Sequence, residues 1–306
     1  MKRYLLILFV AFFFTACRKD GVNRPDFDVS VENLTFHVGD TVMFTFSGNP
    51  DFLTFYPGIA GYRYDFKDRV KAAGKPILTF TSYAQKIGTQ QPSLQLLAST
   101  DLNGNYTPAG IAAATWTNLT NRAVFSSGTD NTPSGDIDLS DIGNVDKNIY
   151  LAFKKHDDSS STLKPWAWTI RSFNINLTTT EDSQVYPVTT LSASGWLAID
   201  VRNPVYKWTV SGTALTIDGG TIDTPENEDW VITNPLNLYA VKRDVGISLK
   251  TLIQGYLPIR MCIQRPEPIR QHLWPAIRMP KTGMKWLSIL ASLYNKIVND
   301  RRRQWQ

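Results

Sequence analysis

Between Phe27 and Tyr239 the apolar side chains recur two residues apart in short runs, each cut by Gly, Asn, Asp or Pro. In an extended chain successive side chains point to opposite faces, so period two buries one face and wets the other. Phe27/Val29/Val31, Leu34/Phe36/Val38, Val42/Phe44/Phe46, Leu53/Phe55 and Tyr62/Tyr64/Phe66 read as the strands of an opening block. From about Pro76 a second block follows: Leu78/Phe80, Leu94/Leu96, Trp116, Ile149/Leu151/Phe153, Trp166/Trp168/Ile170, Tyr206/Trp208/Val210, Leu215/Ile217 and Trp230–Ile232. No long helical period occurs before residue 259. Short strands at this spacing predict an all-β protein built from antiparallel sandwiches, the second of jelly-roll type.

The first seventeen residues point to an address. Lys2 and Arg3 precede an apolar run from Tyr4 to Phe14 that is too short to span a bilayer, and Phe14-Thr15-Ala16-Cys17 follows. This matches a signal peptide over 1–16 with a lipobox, so Cys17 is the expected lipid attachment site and 17–25 a lipidated tether. Several acyl chains on one residue give stable anchoring. The expected location is a membrane surface, held by the lipid. With 2 Cys in all, Cys17 acylated and Cys262 in the tail, no disulfide framework is expected. The formal charge of +5 comes from the tail: residues 259–306 hold 10 Lys/Arg against 2 acids, leaving 22 Lys/Arg against 25 Asp/Glu before them. A mildly acidic body does not call for nucleic acid as a partner.

Val38-Gly39-Asp40-Thr41-Val42, Ser47-Gly48-Asn49-Pro50-Asp51 and Phe55-Tyr56-Pro57-Gly58 resemble the opening of an uncharacterised family of Bacteroidetes surface lipoproteins, a domain of unknown function, and the opening of a PKD (Ig-like) domain. Leu94–Thr100, Gly135–Ser140 and Tyr150–Lys154 are similar to choice-of-anchor and carbohydrate-binding-module jelly rolls, and Glu228–Thr233 echoes a strand of the same folds. The resemblance implies an outer-membrane lipoprotein, often associated with polysaccharide uptake, without known catalytic residues. The expected layout is 26–72 plus 235–258 as an incomplete PKD/Ig-like sandwich, with 73–234 as a jelly roll inserted in it or following it. The basic, Met- and Pro-rich stretch 259–306 is anomalous. Back-translated in another frame, it permits the Gly-Thr-Tyr-Thr strand that closes a PKD-like domain, so a frameshift is the favoured reading. A basic amphipathic tail is the alternative.

No nucleophile motif, phosphate loop or metal-spaced Cys/His cluster is present, so no catalytic residue and no enzyme is expected. Asp101-Leu102-Asn103-Gly104-Asn105 imitates a calcium loop but has Tyr106 and Ala112 where an EF-hand needs Gly and Glu. It reads as a turn, as does the cluster Asp136/Asp138/Asp141. No cofactor is expected beyond the option of a structural calcium. His37 reads as solvent-facing. Trp166, Trp168 and Ile170 read as core. Trp116, Tyr106, Tyr150 and Tyr56 remain as ligand-binding candidates, because sugar rings stack on open aromatic faces. The function expected is a non-catalytic lipoprotein binding glycan or other extracellular material. An adhesion or structural subunit recognising a cell-surface protein is the alternative, and a glycosidase ranks last.

Overall fold

The computed structural model describes residues 27–250, apart from positions 38, 87, 92 and 93, together with the strand Arg260–Cys262. The expected signal, Cys17, its tether and the rest of the tail lie outside the described residues.

The opening strands are β1 (Phe27–Val31), β2 (Thr41–Gly48), β3 (Leu53–Phe55), β4 (Gly74–Lys86), β5 (Leu94–Ser99) and β6 (Thr117–Asn118). Next come β7 (Thr132–Pro133), β8 (Ile137–Asp138), β9 (Tyr150–Asp157), β10 (Ala167–Thr179), β11 (Val185–Thr190) and β12 (Leu197–Arg202). The last are β13 (Thr209–Val210), β14 (Leu215–Ile217), β15 (Asn227–Ile232), β16 (Ile247–Lys250) and β17 (Arg260–Cys262). The ladders are antiparallel throughout, and the protein is an all-β sandwich. Among the described residues no helix is long and apolar enough to cross a membrane.

Two compact units divide the chain. The described residues up to Tyr62 and from Gly246 onward make one, and Arg63–Val245 the other. In the first, β2 lies between β1 and β17, and β3 pairs with β16. Phe44 of β2 meets Phe55 of β3 at 5.5 Å, and Val42 and Leu249 are buried. In the frame as written, Arg260–Cys262 pairs with Thr41–Met43.

Two of the strands expected in the opening block are absent. Residues 35–37 carry no strand, and the Asp40 carboxylate accepts a hydrogen bond from His37 N and closes a turn there. His37 has an 89% exposed side chain. Tyr64–Phe66 is a 3-10 turn belonging to the second unit. There the guanidinium groups of Arg63 and Arg69 stack on the Phe66 ring at 4.1 and 3.8 Å. Arg63 bonds the carboxylates of Asp182 and Asp244, and Arg69 donates to Tyr186 Oη at 2.6 Å. Asp244 also accepts from Arg63 N at 2.9 Å, so the first and penultimate residues of this unit are tied together. The expected division at 72/73 and 234/235 thus differs from the observed one, because these contacts keep 63–72 and 235–245 with the inserted unit.

The second unit stacks two sheets. One runs β13-β14-β10-β4-β7, with β11 also on β10 and β8 also on β4; the other runs β12-β15-β9-β5-β6. Leu78, Phe80 and Ala84 of β4 face Leu94, Leu96, Leu151 and Phe153 of the opposite sheet in one core. Phe80 and Phe153 meet edge to face at 5.2 Å, and Trp196 packs on Phe153 and Phe173. Trp168 and Ile170 are core residues, and Trp166 stacks on Trp168 at 5.8 Å. A bulge after Arg171, with Ser172 at φ 50°, shifts the phase of β10. Even-numbered Trp168 and Ile170 point inward before it, odd-numbered Phe173, Ile175 and Leu177 after it.

At one end of β9 and β15 the inward face turns polar. Lys155 and Asp229 are both 0% exposed, beside buried Asp157 and Asn227. Lys155 Nζ bonds the Asp157 carboxylate, Asn227 Nδ2 donates to Asp229 Oδ2 at 2.8 Å, and Trp208 Nε1 donates to the Asp229 carbonyl at 3.3 Å.

Candidate functional site

The outer face of the five-stranded sheet carries a second apolar cluster, because the loop after β5 folds back over it. Leu102, Ile111 and the partly buried Tyr106, Ala114 and Trp116 cover Leu97, Tyr150, Ala152, Ile199, Trp230 and Ile232. This coverage explains why β9 is buried on both faces over Tyr150–Phe153. The loop is pinned at both ends by Asp101, whose Oδ1 accepts from Ser99 Oγ and from Thr115 N, each at 2.8 Å. Those bonds, Ser99 first, hold the Asp101 carboxyl below its ordinary value. Within the loop, Thr107 caps the short helix Pro108–Ala113 by accepting from Gly110 N at 3.0 Å. Gly110 is required here, since a Cβ on it would lie 2.3 Å from the Asn105 carbonyl oxygen.

Between this loop and the sheet lies a groove of about 420 Å³. Its apolar surface comes from Trp116, Trp230, Leu97, Ile111, Pro108 and Val201, its polar surface from Gln95, Asn118, Lys154 and Glu228. The volume falls within the range of small-molecule pockets, about 300–1,000 Å³. The register explains the convergence: Gln95, Lys154 and Trp230 are direct neighbours across β5, β9 and β15, and Glu228 faces His156 on the next row of the same face. The Trp116 and Trp230 rings approach at 4.9 Å with 47° between their planes. Trp116 Nε1 donates to the Ile111 carbonyl at 3.0 Å, which locks the ring.

Trp230 Nε1 donates to Glu228 Oε1 at 3.0 Å, Lys154 Nζ lies 3.2 Å from the same oxygen, and His156 Nδ1 lies 3.3 Å from Glu228 Oε2. Lys154 Nζ also sits 5.1 Å from the Trp230 ring centre, a cation–π distance. Burial pushes the Glu228 carboxyl up, but the hydrogen bonds from Trp230 and Lys154 and the charges of Lys154 and His156 outweigh it and hold it below the ordinary glutamate value.

The four aromatic candidates from sequence fall in different places. Trp116 lines the groove. Tyr150, 7% exposed, belongs to the cluster under the loop, and Tyr106 packs on it at 6.1 Å and donates its hydroxyl to the Thr233 carbonyl at 3.1 Å. Tyr150 is therefore covered, and Tyr106 is half-buried. Tyr56 is half-buried in the other unit. Sequence reasoning missed Trp230, Lys154, Glu228, Gln95 and Asn118; the alternation of Lys154 and His156 with Phe153 and Lys155 on β9 was the available signal.

The acidic stretches have protein partners. Asp141 receives both Arg122 guanidinium nitrogens at 2.7 and 2.6 Å, and Asp138 accepts from Ser140 N at 2.9 Å and pairs with Lys75 at 3.2 Å. Among the described residues no group of three or more His, Cys, Asp or Glu side chains is arranged to hold a metal ion.

No curated protein and no solved structure matches this chain. A family model does, over residues 16–196, a span that includes Trp116 and Lys154 and stops before Glu228 and Trp230. With more than half of its length matched, the chain belongs to the family described as Domain of unknown function (DUF5017).

Proposed function

We propose that this protein is a non-catalytic lipoprotein, held in the outer membrane through acylated Cys17, that binds glycan at the cell surface in the groove between β5, β9, β15 and the loop 100–116. One observation carries the reading: a locked indole, Trp116, stands beside a row of hydrogen-bonding heads in a groove of ligand size. A pyranose ring has the matching character, with an apolar C–H face for the indole and hydroxyls at its edge. The PKD-like and carbohydrate-binding-module-like motifs of the sequence support the same reading.

Affinity electrophoresis of the mature chain through gels containing soluble polysaccharides tests it. At least one glycan is expected to retard the protein, and Trp116→Ala, run at a temperature where the variant is still folded, to lose the retardation by tenfold or more. Retardation that survives Trp116→Ala refutes the site, and hydrolysis of the glycan refutes the non-catalytic assignment. The anchor is tested separately. Cys17→Ser is expected to abolish palmitate labelling and move the protein to the soluble fraction, and a variant that still fractionates with membranes refutes acylation as the anchor.

A further inference from the structure

The chemistry of the same groove narrows its ligand, on the premise that the groove binds glycan at all. The cation in the groove is already matched. Lys154 sits 3.2 Å from Glu228, and around them Arg202 pairs with Glu226 while His156 lies 3.5 Å from Asp158. Lys154 and Arg202, joined by His156 when it is protonated, thus face the three carboxylates of Glu228, Glu226 and Asp158, and no positive surplus remains to attract a uronate, sulfate or phosphate. An anionic sugar would have to draw Lys154 away from Glu228 and leave a partly buried carboxylate without its countercharge, a costly exchange.

The pair is nonetheless not saturated. An ammonium carries three donors, and Glu228 occupies one of them. Glu228 Oε1 takes both Trp230 and Lys154, while Oε2 has His156 Nδ1 at 3.3 Å and keeps its second lone pair for another donor. A donor and an acceptor held this close match two adjacent ring hydroxyls, since each hydroxyl both accepts and donates. Both heads are positioned before a ligand arrives, Glu228 by the indole of Trp230 and Lys154 by that carboxylate and the indole face. Pre-positioning lowers the ordering cost of binding.

We infer that the groove selects neutral glycans, gripping two adjacent hydroxyls of one sugar ring between Lys154 and Glu228 while Trp116 stacks on the ring's C–H face. Gln95, next to Lys154 across the ladder, and Asn118 at the sheet edge supply further hydrogen bonds along the same line.

The test runs the full mature chain through gels containing neutral polysaccharides (galactomannan, xyloglucan, laminarin) or acidic ones (polygalacturonate, chondroitin sulfate), at low and high salt. Retardation is expected in a neutral gel only and is expected to change little with salt, because no net ion pair forms. Lys154→Met and Glu228→Gln are each expected to weaken it by tenfold or more. A second measurement needs no variant. The methyl glycoside of the bound sugar is expected to compete, and its analogues lacking either of two neighbouring hydroxyls to compete at least tenfold less well, because the site's polar groups are then left unpaired.

Retardation by the acidic polymers, relieved by salt and by Lys154→Met, overturns the neutral-sugar inference and leaves glycan binding standing. Neutral retardation that both variants and every deoxy analogue preserve overturns the two-hydroxyl grip. Retardation by no glycan overturns the inference together with the reading on which it rests.

Discussion

Replacing Asp229 by asparagine isolates the cost of holding a carboxylate in the polar end of the sandwich. The side chain is fully buried, and burial, assisted by the nearby Asp200 and Asp157, lifts its carboxyl to about 7 from an ordinary 3.8, against the opposing Asn227 hydrogen bond and Lys155 charge. The folded state therefore holds a proton that the unfolded chain has lost across most of this interval. Stability from this group is fully present below about pH 4 and falls as pH rises through about 7. Between about pH 5 and pH 8 the loss amounts to roughly 2–3 kcal/mol, from 1.36 kcal/mol per unit of pKa difference. For a unit of this size that is a drop of roughly 5–10 °C in melting temperature. Asp229→Asn keeps the shape and an acceptor for Asn227 but cannot ionise. Its melting temperature is expected to fall less than the wild type's over the same range, so that the variant is the more stable protein at about pH 8. Melting curves of both proteins, recorded across the range in buffers of matched ionic strength, supply the comparison. Parallel pH profiles would mean that Asp229 stays ionised throughout, and the reasoning about its burial would be wrong.

Two further outcomes follow from the packing. Asp244, 1% exposed at its side chain, accepts from both the backbone and the side chain of Arg63; Asp244→Ala is expected to cost about 2–4 kcal/mol, read from urea denaturation midpoints, and a loss below about 1 kcal/mol would show that the tie is ornamental. Gly110→Ala forces the helix Pro108–Ala113 off Asn105, at an expected cost of about 1–3 kcal/mol, with a change in Trp116 fluorescence as the groove wall shifts; an unchanged spectrum and melting temperature would refute the packing described for that loop.

The sandwich was legible wherever one face of a strand is dry and the other wet. Leu78/Phe80 and Leu94/Leu96 announce β4 and β5 by alternation alone. The strand β10 was legible only over its first half, because the bulge at Ser172 reverses which parity points inward and disguises Phe173, Ile175 and Leu177 as a new pattern. The Tyr62/Tyr64/Phe66 alternation misled for another reason. Phe66 serves two arginines, Arg63 and Arg69, and Tyr64 lies under Lys67, so these rings meet cations and not a sheet, and a period-two pattern does not distinguish those uses. The candidate site was legible only at Trp116. Trp230 reads only as the start of the strand Trp230–Ile232, and Lys154 and Glu228 look like ordinary solvated charges until the register sets them side by side. Cross-strand adjacency is the information that a linear reading lacks.

The tie between Arg63 and Asp244 also bears on the order in which the chain can fold. Strand β3 must find β16 across the roughly 190 residues that separate them, and closing so long a loop is entropically costly and slow. Once the inserted unit has folded and joined its own two ends, the segment still free to wander shrinks to about nine residues, Tyr56–Tyr62 and Val245–Gly246. On the logarithmic dependence of closure entropy on length, that shortening is worth about 3 kcal/mol to the β3–β16 pairing. An inserted unit that folds first would act as an internal template: by bringing its two ends together it would deliver the halves of the outer unit to one another.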